Sequence, residues 1–538
     1  MTDTLVAVQS PTKNRRWPFF LVVLISAGWL FLKIPTPVEF LTDPDGGHQI
    51  SGAQQIEFGE HPFADWRSTY GPAVFYASYV FRWLFGQRLV SDVILSIVGF
   101  AAAYALLFVN IKNLTGRAYL GFGVLTVALL QTPRFYKYYI LLFPLLVLFL
   151  LFRYLDHRCA KRAILIGAAV AIAGLFRPDY GVYTLLASAI TIIFADRRIT
   201  RATLSRLSIF VISVGITVLP WLLFMIYRGT FIDYLLDSSF GAASHAKGLA
   251  LPLPIPSLSL PLRSIHNMRA FSFFLWYLMP LATLLLLFAR RKALDPVYLT
   301  KAFAATLFAA LCLLQSTHRS DFNHLIQAIS CCYVLMGFLL NEAIVLYRET
   351  RFVRWPTVLI LAYCMAISLV SVSASRFTTH SVSRSSYSYF TRFYRHRAPE
   401  FIRLTRIAYP NHAYLALLDA IQLHSGPGQR ILAIPFETSL YFLSERPFAG
   451  GQMLMAPGYF SSDQDQRQLI ETLKTQGNPL IIEAEDGGYD NRPERMTQNY
   501  APIFYDYLST QYRPIEDHTI PAGYTFWTTN SLSTGALK

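Results

Sequence analysis

Runs of apolar residues constrain this chain more than any other feature of its sequence. The first run, WPFFLVVLISAGWLFL, begins at residue 17, and several runs of comparable length follow along the 538 residues. A helix of about 20 apolar residues crosses the roughly 30 Å hydrocarbon layer of a bilayer. Because 54% of the residues are hydrophobic and only 15% are charged, a single soluble domain is excluded and a polytopic membrane protein is predicted.

Eleven membrane-spanning helices are predicted from these runs. Their approximate bounds are 17–35, 89–110, 117–131, 137–152, 162–176, 180–195, 207–227, 271–289, 299–315, 322–347 and 355–373. If the N-terminus lies in the cytoplasm, every loop on the cytoplasmic side is basic, as the positive-inside rule requires. These loops also account for the net charge of +15, so that charge does not indicate nucleic acid as a partner. The expected location is a membrane, with the N-terminus on its cytoplasmic side.

The chain divides into a membrane part and a C-terminal domain. Residues 1–374 form the predicted transmembrane module, whose large first outer loop covers 36–88 and includes an interfacial helix at 71–86. An odd number of crossings places the rest of the chain in the periplasm. There, 375–400 is predicted as a linker and 401–538 as an α/β domain, because RILAIPF and PLIIEAE are typical of short buried strands and QRQLIETLKT is typical of a helix. The predicted fold class is an α-helical polytopic membrane protein with a C-terminal extracytoplasmic α/β domain.

Charged side chains gather in the outer loops of this topology. The first loop contains LTDPDGGHQISGAQQIEFGEHPFADW, and three later outer turns, QTPRFYKYY, FRPDYG and STHRSDFNH, each carry a cation. Each turn taken alone is explained by an ion pair that ends a helix, but their common side favours one shared polar site at the outer face. The candidate residues are Asp43, Asp45, Glu60 and Asp65 in the loop, and Arg134, Lys137, Arg177, Asp179, Arg319, Asp321 and His324 in the turns.

The residue types of this predicted site indicate chemistry on a phosphate. Arg and Lys bind phosphate oxygens, and a carboxylate accepts a proton from a hydroxyl or binds a metal. A sugar linked to a polyprenyl phosphate presents its headgroup at this face of the membrane. An acceptor hydroxyl then attacks the anomeric carbon with inversion, and a cation stabilises the departing lipid phosphate. The sequence has no nucleotide-binding motif such as G-x-G-x-x-G after a strand, which fits a lipid-linked donor.

The outer loop at residues 228–270 has an unusual composition. In its segment LALPLPIPSLSLPLRSIH, the prolines at 252, 254, 256 and 261 exclude a regular helix, while most other residues are apolar. Two interpretations stay open: an extended surface loop, or a flap that rests at the lipid interface over a groove. The flap suits a substrate with a long lipid tail.

The first loop resembles the first periplasmic loop of C-type glycosyltransferases. These are polytopic membrane enzymes that use polyprenyl-phosphate sugars, and they include protein mannosyltransferases and aminoarabinose transferases. The resemblance rests on Asp43-Pro-Asp45-Gly-Gly, GAQQIEFGEHPFADW and YGPAVFY, and on the turns FRPDYG and HRSDFNH. It implies a polyprenyl-phosphate sugar donor, a glycan, lipid or protein acceptor, and Asp45 as the catalytic base, with Asp43 as the second choice. The four cations of the outer turns are then the candidates for binding the phosphate.

Metal dependence and the class of function stay open at this point. The acidic pair is split by a proline, and some members of the superfamily use split acids to hold a divalent metal with a pyrophosphate donor. A monophosphate donor needs no metal, so no cofactor is predicted. The alternative function is a transporter or flippase for a lipid-linked or polar substrate, and a third is a non-catalytic assembly subunit. Transporters place charges near the bilayer midplane on broken helices, whereas these charges lie at helix ends.

Overall fold

The fold is given by a computed structural model of the chain. The described residues are 17–33, 44–86, 89–131, 134–196, 198–238, 247–349, 355–396, 412–460, 462–485 and 492–530. Asp43, one of the predicted site residues, lies outside them, as do the first residues of the predicted outer loop.

α-Helices form most of the membrane part. They are α1 (Trp17–Lys33), α2 (Pro44–Glu57), α3 (Pro72–Phe85), α4 (Leu89–Thr115), α5 (Ala118–Leu130), α6 (Tyr138–Asp156), α7 (Ala160–Phe176), α8 (Pro178–Asp196), α9 (Arg201–Tyr227), α10 (Phe231–Leu236), α11 (Ile265–Arg290), α12 (Pro296–Leu313), α13 (Gln315–His318), α14 (Phe322–Ala328), α15 (Ser330–Glu349) and α16 (Trp355–His396). Ten of the eleven predicted spans coincide with one helix each, and the span predicted at 322–347 is divided into α14 and α15. Within the described residues, eight helices are long and apolar enough to cross a bilayer, and α1 and α5 contain shorter apolar helices. The chain is thus a multi-pass membrane protein, and the number of eleven crossings stays a prediction.

Short connections make successive helices of the bundle antiparallel, so the bundle has two ends. α7 packs against α6, α8 and α9, and α4 packs against α1, α5 and α6. We define the upper end by the turns that contain residues 134–137, 177 and 314–329, and the lower end by the turns that contain 157–159, 198–200 and 291–295. All the outer turns that carry predicted site residues therefore share the upper end.

The short helix α2 is polar in sequence and almost fully buried. It begins with Pro44, which suits the first helical position, and it carries Asp45 in its first turn, where a helix N-terminus stabilises negative charge. The residues from Gly46 to Ile56 are all buried. Gly52 permits close packing on α3, because a Cβ at this position would lie 2.4 Å from the ring of Phe75.

The C-terminal domain is built on a four-stranded mixed sheet. Its elements are α17 (His412–His424), β1 (Ile431–Ile434), α18 (Ser439–Ser444), α19 (Asp463–Thr475), β2 (Leu480–Ala484), α20 (Thr497–Tyr500), α21 (Pro502–Gln511), β3 (Tyr512–Pro514) and β4 (Tyr524–Thr529). The strand order is β1-β2-β4-β3, with β1 and β2 parallel and the other two pairs antiparallel. The two strands and the helix predicted from RILAIPF, PLIIEAE and QRQLIETLKT are confirmed as β1, β2 and α19.

The C-terminal domain docks on α2 at the start of α18. Ser51 Oγ donates a hydrogen bond to the carbonyl of Thr438 over 2.6 Å, and Thr438 Oγ1 donates to the carbonyl of Pro44 over 2.6 Å. A Cβ at Gly47 would lie 2.4 Å from Thr438 Oγ1, so the absence of a side chain at this position permits the approach. The domain thus contacts the first turn of α2, which carries Asp45.

The segment predicted as a linker is largely helical. α16 begins at Trp355 and continues to His396, so it runs through most of residues 375–400. A helix of this length extends beyond the roughly 20 residues that a bilayer requires.

The proline-rich loop before α11 has no helix between 251 and 264, as its prolines predict. Asn267 fixes the loop, because its side chain accepts from the backbone N of Ser257 over 2.6 Å and donates to the carbonyl of the same residue over 2.9 Å. The other end of the loop is joined to the upper turns, where the backbone N of Leu251 donates to the carbonyl of His318 over 3.1 Å. The loop is therefore extended but anchored at both ends.

Candidate functional site

A cavity of about 920 Å³ lies at the upper end, between the turns of the bundle and the C-terminal domain. Seven residues predicted from the sequence line it: Asp45, Arg134, Lys137, Arg177, Asp179, Arg319 and His324. Asp321 lies behind this lining, where its carboxylate contacts both Arg319 and His324. The structure therefore brings the first loop and all three outer turns to one place.

Two cations from the turn before α6 hold the carboxylate of Asp45. Its Oδ2 accepts from Lys137 Nζ over 2.8 Å and from Arg134 Nη1 over 3.1 Å. Burial acts to raise the pKa of Asp45, but the charges of Lys137 and Arg134 outweigh burial and lower this pKa well below its usual value. The side chain of Lys137 is only 2% exposed, whereas that of Asp45 is 22% exposed, so the carboxylate remains accessible from the cavity.

Two more ion pairs line the cavity, each formed within one turn. Arg177 Nε lies 2.9 Å from Asp179 Oδ1, and Arg319 Nε lies 2.9 Å from Asp321 Oδ2. Arg319 also donates from Nη1 to the carbonyl of Leu249 over 3.3 Å, which joins it to the proline-rich loop. Each pair agrees with the interpretation that the charges of a turn form an ion pair at the end of a helix. Because both pairs line the same cavity, they also agree with the interpretation of one shared polar site.

His324 and Asp321 form a carboxylate–imidazole pair beside the cavity. His324 Nδ1 lies 2.7 Å from Asp321 Oδ2, and the backbone N of His324 donates to Asp321 Oδ1 over 3.0 Å at the N-cap of α14. Burial acts to raise the pKa of Asp321, but its contacts with His324 and Arg319 lower it below its usual value. Burial lowers the pKa of His324 to about 4, against the opposing effect of Asp321. The imidazole is therefore neutral at pH 7.

The glycine of the YGP motif lets the first loop meet the FRPDYG turn. The backbone N of Gly71 donates to the carbonyl of Phe176 over 3.0 Å. A Cβ at Gly71 would lie 2.1 Å from the carbonyl oxygen of Leu175, so no larger residue fits here. This approach places Tyr70 in the lining, with its ring centroid 5.5 Å from Lys137 Nζ. That geometry is a cation–π contact, which helps to hold the cation in place.

The C-terminal domain supplies an apolar part of the lining. Phe436, Leu454 and Ala456 face the cavity from the loops that follow β1. Because Thr438 binds the carbonyl of Pro44, this wall is fixed relative to the first turn of α2. The domain is thus part of the cavity.

Glu60 and Asp65, the secondary candidates of the first loop, do not line the cavity. Glu60 pairs with Arg430 of the C-terminal domain. Asp65 pairs with Arg228, with 2.6 Å between Oδ1 and Nη2, and it accepts from the backbone N of His61 over 2.8 Å. Both acids tie the first loop to its neighbours.

Several lining residues were not selected from the sequence. They are Tyr70, Lys247, Gln315 and His318 among the polar ones, and Phe436 among the apolar ones. Tyr70 and His318 belong to motifs already recognised, and Lys247 is a cation in the proline-rich outer loop, so a sequence signal existed for these three. The sequence contains no signal for Phe436, whose place depends on the docking of the C-terminal domain.

The lining carries more positive than negative charge. Five Lys and Arg side chains face two Asp side chains, and the cations still prevail when Asp321 is included. Cations gathered in a partly enclosed site attract multiply charged anions, and phosphate accepts charge-assisted hydrogen bonds from both Lys and Arg. The cavity is therefore suited to a phosphate group.

The described residues around Asp45 do not fit a divalent cation. The charged atoms nearest to its Oδ2 are the cations of Lys137 and Arg134, which would repel a metal ion. Over the part of the chain that the structure describes, no group of three or more His, Cys, Asp and Glu residues is arranged to hold a metal.

Three solved structures are similar to this chain along almost all of its length. For ArnT from Cupriavidus metallidurans bound to undecaprenyl phosphate, the identity is 11% and the TM-score 0.46, covering 97% of this chain and 100% of that chain. For ArnT in the apo state, the identity is 12% and the TM-score 0.44, covering 95% and 96%. For the archaeal oligosaccharyltransferase AglB from Archaeoglobus fulgidus, in complex with an inhibitory peptide and a dolichol-phosphate, the identity is 10% and the TM-score 0.46, covering 98% and 76%.

At identities of 10–12% and TM-scores below 0.5, these similarities carry no argument about family or function. The function is therefore inferred from the geometry of the site. No protein-family model and no curated protein matches the chain.

Proposed function

We propose that this chain is a membrane glycosyltransferase that transfers a sugar from a polyprenyl-phosphate donor to an acceptor hydroxyl. The observation that carries the proposal is the surplus of cations around a cavity of about 920 Å³ at one end of a membrane bundle. A soluble nucleotide sugar needs a nucleotide site, whereas a lipid-linked sugar needs a phosphate site at the membrane surface. This cavity has the composition of the second kind of site.

Arg134 and Lys137 are the proposed ligands of the donor phosphate. Both bind Asp45 Oδ2 in the structure, so Asp45 acts as their counter-ion. A phosphate carries more negative charge than a carboxylate and offers more acceptor oxygens. The donor therefore competes with Asp45 for these cations, and the same cations then stabilise the charge that develops on the leaving phosphate.

Asp45, predicted from the sequence as the general base, has a conditional place in this reaction. A carboxylate whose pKa is held low by Lys137 and Arg134 binds a proton weakly. The role of base therefore requires that the donor phosphate first draw both cations away. The role of Asp45 as general base stays a prediction.

The proline-rich loop provides a path for the lipid tail of the donor. Leu249 and Ala250 line the cavity, and the loop that follows exposes Ile255, Leu258 and Leu262, which are 73%, 101% and 73% exposed. Exposed apolar side chains beside membrane helices favour contact with lipid. This supports the interpretation of the loop as a flap at the lipid interface.

The proposal is tested with the purified protein in lipid vesicles, given a panel of polyprenyl-phosphate sugars and an extract of envelope glycans and lipids as acceptors. We expect release of free polyprenyl phosphate from one donor, with and without EDTA, and no reaction with nucleotide sugars. Movement of an intact donor across the vesicle membrane, without release of polyprenyl phosphate, would instead support a flippase. Loss of release in EDTA would contradict the absence of a metal.

A further inference from the structure

His324 presents to the cavity a hydrogen-bond acceptor that no cation among the described residues occupies. His324 Nε2 makes no hydrogen bond within the described residues, and His324 lines the cavity. By contrast, Asp179 receives Arg177 Nε on both oxygens, over 2.9 and 3.2 Å. Asp45 holds two cations on Oδ2. A hydroxyl group that enters this cavity therefore meets at His324 a basic acceptor for which no cation competes, in contrast to these two carboxylates.

The contacts of Asp321 fix the tautomer of His324. An ionised carboxylate only accepts hydrogen bonds, and the pKa of Asp321 is held below its usual value. The proton of the neutral imidazole therefore lies on Nδ1, which donates to Asp321 Oδ2 over 2.7 Å. The same oxygen accepts from Arg319 Nε over 2.9 Å, so the carboxylate itself is held in place. The lone pair of Nε2 is left for the cavity.

We propose, on the basis of the function proposed above, that His324 is the general base that receives the proton of the acceptor hydroxyl, and that Asp321 is its positioning residue. The acceptor oxygen forms a bond to the anomeric carbon, and the bond from that carbon to the phosphate oxygen breaks. The electron pair of the broken bond goes to the lipid phosphate, and the hydroxyl proton goes to His324 Nε2. The imidazolium formed is stabilised by the carboxylate of Asp321.

The charges around His324 suit this role. Burial, assisted by the charges of Lys137 and Arg134, lowers the pKa of His324 and keeps its imidazole neutral before the reaction, and Asp321 stabilises the charged form after proton transfer. A donor phosphate that binds the cations also reduces their repulsion of the imidazolium. The charged groups near the pair are Asp45, Arg134, Lys137, Arg269, Arg319 and Asp321.

The first test compares His324→Gln with Asp45→Asn in membranes from cells that lack the native gene, so that the natural acceptor is present. Release of polyprenyl phosphate is measured at saturating donor, and polyprenyl phosphate binding is measured on the purified proteins. We expect His324→Gln to lower the release rate about 10²- to 10⁴-fold, the usual contribution of general acid–base catalysis, with binding retained. His157→Gln, in the turn at the lower end, is the matched control and keeps the wild-type rate.

The positioning role of Asp321 is tested through the pH profile. Protonation of His324 removes the base, so activity is lost as pH falls through its pKa. The acid limb of kcat/KM, which reports the free enzyme, is expected near pH 4. The acid limb of kcat, which reports the enzyme with donor bound, is expected at higher pH, because the negative charge of the bound phosphate raises the pKa of His324. Asp321 raises the pKa of His324, so Asp321→Asn should move both acid limbs to lower pH and reduce kcat. An acid limb that does not move in this variant would contradict the positioning role of Asp321.

Three outcomes separate this inference from the proposed function. If His324→Gln releases polyprenyl phosphate at the wild-type rate, the assignment of His324 as the base is overturned. A second outcome is that Asp45→Asn loses release at saturating donor but still binds polyprenyl phosphate, while His324→Gln stays active. This outcome assigns the base to Asp45 and leaves the proposed glycosyltransferase function unaffected. Absence of release by the wild type with every donor removes the proposed function, and the base with it.

Discussion

The two ends of the helix bundle contain similar ion pairs in different surroundings. At the lower end, Asp196 accepts from both Arg158 and Arg206, over 2.5 and 3.0 Å, and Lys301 lies 2.6 Å from Asp156. Each of these contacts joins neighbouring helices or the turns between them. The lower end is therefore held together by its charges.

The upper end has a similar arrangement around Asp45, which also accepts from two cations. The difference lies in what surrounds the pair. Here a cavity of about 920 Å³ adjoins the carboxylate, and three further Lys and Arg side chains line the same space. The C-terminal domain closes this end, whereas the lower end carries no domain among the described residues. The ion pairs of Asp45 thus adjoin open space lined by further cations, which is the basis of the proposed phosphate site.

The largest effect is expected when one lysine is replaced by glutamine at each end of the bundle. Lys137→Gln removes a proposed ligand of the donor phosphate and leaves the negative charge of Asp45 less balanced. The variant should therefore attract the donor less and repel it more. A hydrogen bond to a charged group contributes about 1.5–3 kcal/mol, and we expect transfer to fall about 100-fold at low donor concentration. Binding of polyprenyl phosphate, measured on the purified protein, should fall with it.

Lys301→Gln is the matched variant at the lower end. It breaks the pair with Asp156 and should lower the melting temperature while transfer per folded molecule stays near the wild-type value. Equal losses of transfer in the two lysine variants would mean that the ends do not differ in function.

The fold was predicted well from the sequence because hydropathy and turn residues are local signals. Apolar runs placed the membrane helices, and buried runs such as RILAIPF placed β1 and β2. The break at Ile329, between α14 and α15, was not predicted, because the whole segment 322–347 is apolar enough to continue as one helix. Capping by Asp321, which fixes the start of α14, depends on side-chain geometry that hydropathy does not encode.

The candidate site was predicted in part. The turns that carry Arg134, Arg177 and Arg319 share one end because antiparallel helices alternate, and this alternation follows from the sequence alone. The pairing of Asp45 with Lys137 does not follow, because it depends on how α2 lies over the bundle. That position is fixed by contacts such as Thr438 with the Pro44 carbonyl, which join residues almost 400 positions apart.

A smaller effect is expected from disturbing the docking of the C-terminal domain. In Gly47→Ala the new Cβ would lie 2.4 Å from Thr438 Oγ1 and 2.6 Å from the backbone N of Ser439. Overpacking of this kind costs about 1–3 kcal/mol, and the displaced first turn of α2 should lower transfer about tenfold, since about 1.4 kcal/mol corresponds to a factor of ten. The measurements are thermal stability and the rate of polyprenyl phosphate release.

Gly123→Ala is the control for this substitution. Gly123 lies in α5, and a Cβ there would have no neighbour within 4 Å, so the variant should keep both stability and rate. If Gly47→Ala also kept its rate, the C-terminal domain would not contribute to the geometry around Asp45, and the upper end would function with the membrane helices alone.

The smallest effect concerns lipid contact by the exposed loop. Ile255→Ser together with Leu258→Ser removes two exposed apolar side chains, each of which contributes about 1.5–3 kcal/mol if fully buried and less at an interface. We expect the KM for a long-chain polyprenyl donor to rise about threefold to tenfold, with kcat unchanged. Ile199→Ser, which replaces a 68% exposed residue in a turn at the lower end, should leave the KM unaltered.

Donor chain length decides whether this effect arises from lipid contact. A short-chain, water-soluble donor does not need the loop, so its KM should be the same in the wild type and in the double variant. An equal rise for short and long donors would mean that the loop acts on the headgroup through Leu251 and the Arg319 turn, as a part of the cavity wall. The upper end would then differ from the lower end in its phosphate site only, and the path of the lipid tail would have to run between the membrane helices.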